Sequence, residues 1–175
     1  DWDAPCDMDD FPSDPELSAL KGFPQYEALS REDKVRFAWK AHAQTMSQFL
    51  HGEQGALLVA SQLVSCAPTT DAKLYAASQT FDEARHVEVF NVYLRQRCRM
   101  VYPINKNLKA LIDKVLADER WDLKFIGMQV LIEGLALAAF QSIHQTTRDP
   151  LLRQVVELVM RDEGRHVAFG VNYLE

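Results

Sequence analysis

The sequence predicts an all-α fold, a four-helix bundle built from two antiparallel helical hairpins joined by a crossover. Three observations lead there. Apolar residues recur with helical spacing over long segments, with few β-branched runs and no hairpin dipeptides. Breaks fall at Pro68 and at Asp149-Pro150, where the connections are short enough to make antiparallel neighbours. The chain also repeats itself. Asp82-Glu83-Ala84-Arg85-His86 returns 80 residues on as Asp162-Glu163-Gly164-Arg165-His166, and Val87, Tyr93 and Leu94 return as Val167, Tyr173 and Leu174.

The elements follow in order. Residues 1–28 hold Pro5, Pro12, Pro15 and Pro24 and read as an irregular arm, with Trp2, Phe11, Phe23 and Tyr26 able to anchor it. Residues 29–175 read as the bundle. Its first helix starts at Ser30, with Asp33 completing a capping pattern, and runs to about Ala67. Thr69, Thr70 and Asp71 offer the cap of the second, which runs to about Arg99. Residues 105–117 form a short helix inside the 100–121 connection, which is long enough to cross the bundle. The third long helix spans from near Asp122 to near Thr147. Asp149-Pro150 supplies the cap and first turn of the fourth, which reads as cut short nine residues after His166.

Composition narrows the function. A chain of 175 residues, 47% hydrophobic and 25% charged, suits one globular domain with a real core. The net charge of −6 is concentrated in the arm, where seven acidic residues precede Ser18 without a Lys or Arg. The remainder is nearly balanced and has no clustered basic face, which argues against nucleic-acid binding. No uninterrupted apolar run reaches bilayer length and no signal peptide is visible, so neither membrane insertion nor export is expected. Cys6, Cys66 and Cys98 lack paired spacing and read as free thiols of a cytoplasmic protein.

The repeat carries chemistry. Residues i and i+3 of a helix share a face, so Glu83 with His86, and Glu163 with His166, can both reach inward. Glu53 and Glu133 each lie 30 residues before those glutamates, which suits a helix, a turn and a return to the same depth. Glu133 sits in the apolar run Val130-Leu131-Ile132-Glu133-Gly134-Leu135. A buried unpaired carboxylate is costly enough that it protonates, pairs or binds a cation. Glu53, Glu83, His86, Glu133, Glu163 and His166 thus form a ligand set for two metal ions, one Glu from each of two helices and one Glu-x-x-His from each of the others. Four carboxylates balance two dications, and mixed oxygen and nitrogen ligands suit iron or manganese. Asp82 is expected beside His166, and Asp162 beside His86, to accept the second ring N–H. Arg85 and Arg165 are expected in ion pairs that fix the helices.

Around this centre, Gly52, Gly55, Gly134 and Gly164 suggest close helix approach first, or else room for dioxygen and substrate. Met46, Phe49, Phe90, Phe125, Met128, Leu137 and Phe140 are candidate pocket walls, although each reads first as ordinary core. His42 and His144 lie eleven residues from Glu53 and Glu133, about 16 Å away at 1.5 Å per residue, and read as surface or packing residues.

On these motifs, residues 30–175 resemble the ferritin-like di-iron carboxylate oxidoreductases: ribonucleotide reductase small subunits, bacterial multicomponent monooxygenases and acyl-carrier-protein desaturases. The doubled Asp-Glu-x-Arg-His looks most like the monooxygenases. The resemblance implies Glu53 and His86 as terminal ligands of one iron, Glu133 and His166 of the other, and Glu83 and Glu163 as bridges. It implies an oxygenase or oxidase with O2 as co-substrate, a small organic substrate, a ferredoxin or reductase as electron donor, and a homodimer. Phe90 stands where reductase subunits carry their radical tyrosine, and Leu137 where the monooxygenases carry a threonine. An oxidant-generating reductase-like protein, with two Fe or Mn/Fe, is the alternative, with an iron-handling ferroxidase third.

Overall fold

The computed structural model describes residues 2–174, and among them the regular structure is helical with no strand. Helix α1 spans Arg31–Cys66. Its N-terminus is fixed by Ser30, whose hydroxyl accepts from the Asp33 N–H at 3.1 Å, a cap that stabilises a helix by about 1 kcal/mol. Pro68 ends it, because the residue before a proline is driven to extended backbone, and Ala67 has ψ 144°. Helix α2, Thr70–Tyr93, starts on a Thr69 cap, passes into a π-helical turn at Leu94–Cys98 and stops at Arg99, whose φ is 54°. Helix α3, Lys106–Ala117, is capped by Asn105, which accepts from two backbone N–H groups.

The Trp121–Thr146 helix, α4, has a feature that its sequence does not announce. It is α-helical over Trp121–Lys124, π-helical over Phe125–Ile132, and α-helical again over Glu133–Thr146. By length and composition α4 could cross a bilayer. Counting uninterrupted apolar runs misses this, because Glu133 breaks the run without lowering the average much. Helix α5, Pro150–Leu174, starts where the Asp149 carboxylate accepts from Leu151 N–H at 2.9 Å.

Helices α1 and α2 form one hairpin, α4 and α5 the other, and α2 packs on α5. The crossover helix α3 lies against α1 and α4. It seats on two notches: a Cβ at Gly55 would stand 2.8 Å from Ile112, and one at Gly127 would stand 2.6 Å from Val115. Lys124, almost fully buried, donates to the Val115 and Leu116 carbonyls at 3.1 and 3.2 Å and so satisfies the C-terminal end of α3.

Two apolar clusters fill the bundle. One gathers Trp39, Met46, Leu50, Phe90, Tyr93, Phe140 and Leu152. The other gathers Val59, Leu63, Ala76, Val115, Phe125 and Met128. The arm docks at the end of the bundle where the first cluster lies, mainly through backbone groups. Trp39 Nε1 donates to Asp10 O at 2.9 Å, Arg148 N to Pro12 O at 2.9 Å, and Ser13 bridges Thr147. Of the anchors expected from sequence, Phe11 packs on the core and Tyr26 meets Phe37 edge-on, whereas Phe23 and Trp2 stay exposed.

Candidate metal centre

Between the two apolar clusters lies a polar one. Each long helix contributes: Glu53 from α1, Glu83 and His86 from α2, Glu133 from α4, and Glu163 and His166 from α5. All six are buried, none exposing more than 5% of its surface. Glu53, Glu83, His86 and Glu163 bring one ligand atom each within 4.8 Å of one another, and so do Glu83, Glu133, Glu163 and His166. Glu83 and Glu163 therefore belong to both groups, with one imidazole and one further glutamate on either side.

The rings are aimed from outside. His86 Nε2 lies 3.2 Å from Asp162 Oδ2, and His166 Nε2 lies 3.4 Å from Asp82 Oδ2. With Nε2–H facing an aspartate, each ring turns Nδ1 inward. His86 Nδ1 stands 3.0 Å from Glu163 and 3.3 Å from Glu53, and His166 Nδ1 stands 3.2 Å from Glu83. Arg85 donates to Asp82 at 2.6 Å and to Asp162 at 3.1 Å. Arg165 donates to Asp162 at 2.5 Å and to Asp82 at 3.3 Å. Two arginines and two aspartates thus tie α2 to α5 on the solvent side of the histidines.

The donor set fits two cations better than it fits itself. Glu83 Oε2, Glu133 Oε2, Glu163 Oε1 and His86 Nδ1 are buried and find no well-aligned hydrogen-bond partner. Such groups are rare because each costs about 1–3 kcal/mol. Burial raises Glu53 and Glu133 well above the usual carboxylate range, and nearby Glu163 raises them further. Burial would raise Glu83 too, but His166 and His86 outweigh it and hold this carboxyl at about 2. Burial opposes charge on both imidazoles, yet the surrounding carboxylates win. They take His86 far above its ordinary value and His166 to about 10. The metal-free cluster keeps protons where two dications would balance the same oxygens.

A profile of the AurF family, p-aminobenzoate N-oxygenase, matches residues 1–175. The chain belongs to this family. It is accordingly a non-haem di-iron oxidoreductase of the ferritin-like helical class. No curated protein and no solved structure gives a significant match.

In this AurF-family chain the cluster forms the floor of an apolar cavity of about 230 Å³. Phe49, Gly52, Ala56, Leu108, Ile132 and Ala136 wall it, and Glu53, Glu133 and Glu163 reach it. Of the pocket walls expected from sequence, Phe49 is one. Met46, Phe90 and Phe140 belong to the first apolar cluster, and Phe125 and Met128 to the second. The glycines divide likewise. Gly55 is a close-packing notch, but a Cβ at Gly52, Gly134 or Gly164 would meet nothing within 4 Å, so close approach does not explain those three. His42 is more than packing: its Nε2 lies 3.0 Å from the Tyr93 hydroxyl, which donates to Asp149 at 3.1 Å. Sequence reasoning passed over Gln79, which is fully buried and donates to Glu133 at 2.8 Å and to Glu83 at 3.2 Å. A signal was there, since Gln79 precedes Glu83 by one turn on the same face.

Proposed function

We propose that this protein is a dioxygen-dependent di-iron N-oxygenase acting on a small arylamine of the aminobenzoate kind. The observation that carries the reading is a buried four-carboxylate, two-imidazole cluster opening directly onto an apolar cavity. Glu53 with His86 would hold one ion, Glu133 with His166 the other, and Glu83 with Glu163 would be shared. An iron pair bound there supplies the redox chemistry that activates dioxygen.

The chain's own residues do the rest. Phe49, Ile132 and Ala136 exclude water and take the aromatic ring. A cavity of about 150 Å³ already holds benzene, so this one has room for a single substituted ring. The amine end of such a ring faces the floor formed by Glu53, Glu133 and Glu163. Among the described residues no Lys or Arg lines the cavity, so an acidic substituent stays toward the mouth, near Leu111 and Leu135, in contact with solvent. Asp162 and Asp82 hold the two imidazole rings in one orientation through turnover. Electrons come from an external ferredoxin or reductase.

The test is single turnover. Protein loaded anaerobically with Fe(II) and given ¹⁸O2 and p-aminobenzoate is expected to yield hydroxylamino product carrying one labelled oxygen, the diferrous pair supplying two electrons and the amine two. Oxygen uptake that only deposits ferric mineral, with no labelled arene, would instead establish an iron-handling protein.

A further inference from the structure

The two halves of the centre are built differently just outside the six residues. The 80-residue offset that superposes one half on the other pairs Gln79 with Val159, Gln129 with Phe49, and Gly170 with Phe90. In one half, Phe49 and Phe90 stack with centroids 6.2 Å apart, an apolar wall. In the other, Gln129 and Gly170 occupy the matching places. A Cβ on Gly170 would stand 2.6 Å from the Gln129 Cβ, so glycine is what admits that glutamine. Gln129 and Gln79 are both fully buried, and Gln129 Nε2 lies 3.2 Å from Gln79 Oε1. Turned about, the Gln129 amide would instead donate to the Phe125 and Lys124 carbonyls at 3.2 Å each, so the packing fixes its close contact with Gln79 and not the direction of that hydrogen bond. Gln79 Nε2 donates to Glu133 Oε1 at 2.8 Å and leaves Glu133 Oε2 buried without a partner. Glu53 has no equivalent: among the described residues, the donor beside it is the His86 ring at 3.3 Å.

We infer that Gln79 is a positioning residue that makes the two metal sites unequal: by holding Glu133 through one oxygen, it presents the other, and the Glu133–His166 half takes its ion first. The inference rests on the six residues being ligands.

Anaerobic titration with Co(II), read by its visible absorption under chelator competition, tests both statements separately. The wild-type protein is expected to bind two ions in two steps, the first at least 10-fold tighter, with His166→Ala abolishing the tight step and His86→Ala the weak one. Gln79→Leu is expected to weaken the tight step by 10- to 100-fold, the usual range for a lost outer partner, and the weak step by less, since Gln79 also donates to the shared Glu83, at the longer distance of 3.2 Å. Gln129→Leu, farther from the ligands, guards against a misfolded variant and should weaken the same step less. A wild-type plateau below two ions would overturn the metal-centre reading and this inference with it. Two ions of equal affinity, or a Gln79→Leu protein weakened equally in both steps, would overturn the inference alone.

Discussion

Asp162 Oδ2 stands 3.2 Å from His86 Nε2, and the two residues come from different repeats of the chain. The contact fixes which ring nitrogen faces the centre. Asp162→Asn keeps the shape but removes the carboxylate that accepts the ring proton. We expect the affinity of one of the two metal ions to fall 10- to 100-fold, with the other little changed. Chelator competition measures both. Unchanged affinity for both ions would mean that packing alone holds the ring.

Metal removal should destabilise the protein. An ion bound only by the folded state at 100 times its dissociation constant adds about 2.7 kcal/mol. Chelation is expected to lower Tm by roughly 5–10 °C for a chain of this size.

Glu133→Gln should have opposite effects on the two forms. Because the folded state holds Glu133 protonated well above pH 4.5, the unfolded carboxylate ionises first and stability is lost as pH rises past that value. Glutamine removes that loss and still accepts from Gln79. Metal-free Glu133→Gln is expected to gain on the order of 1 kcal/mol at pH 7 while binding metal more weakly. A lower apo Tm in the variant would show that buried carboxylates do not strain the cluster.

Neighbouring glycines on α1 should respond with opposite signs. Alanine at Gly52 meets nothing within 4 Å and gains up to about 1 kcal/mol in helix propensity. Alanine at Gly55 drives into Ile112 at 2.8 Å and should cost about 1–3 kcal/mol. Urea unfolding of the two variants decides it, and equal effects would refute the notch.

Acid should act through His42. Burial holds its imidazole down at about 4, against an opposing pull from Asp149, while Tyr93 and Trp39 pack beside it. The folded state therefore refuses a proton that the unfolded state takes below pH 6.5. The resulting stability is full above that pH and is lost as pH falls toward 4. Measured against His42→Gln in metal-free protein, the wild type should lose on the order of 2 kcal/mol across this window, allowing for partial exposure of the ring. Parallel pH profiles would exclude the mechanism.

Much of this architecture is legible in the chain because duplication writes geometry as arithmetic. The offsets of 30 and 80 residues place Glu53, Glu83, Glu133 and Glu163 at one depth, and the i, i+3 spacing brings His86 and His166 to the same side. Caps at Ser30, Thr69 and Asp149 mark the helix starts for the same local reason. The π-helical stretch before Glu133 was not legible. Within it Gly127 meets α3 at Val115 and Gln129 meets α5 at Gly170, long-range contacts that no local propensity records. Gln79 hid because its partner Glu133 is 54 residues away. Among the candidate walls, Phe49 lines the cavity and most of the others are ordinary core, a division not legible in the chain because helical periodicity tells core from surface but does not tell a filled core from a hollow one.

The docked arm gives the bundle a direction. Residues 10–14 are fastened to α1 through Trp39 and to the α4–α5 turn through Thr146, Thr147 and Arg148, and the Thr147–Pro12 hydrogen bond spans 135 positions of sequence. The belt thus ties the first hairpin to the second at one pole only. At the far pole the two hairpins meet through side chains instead: Thr69 against the Tyr173 hydroxyl, Tyr75 stacked on Phe169, and Lys124 donating to Gln62 and to the end of α3. Breathing of the native state should therefore spread from the far pole inward. Amide protons near Trp39 and Tyr93 should exchange last, and those near Cys66 and Trp121 first.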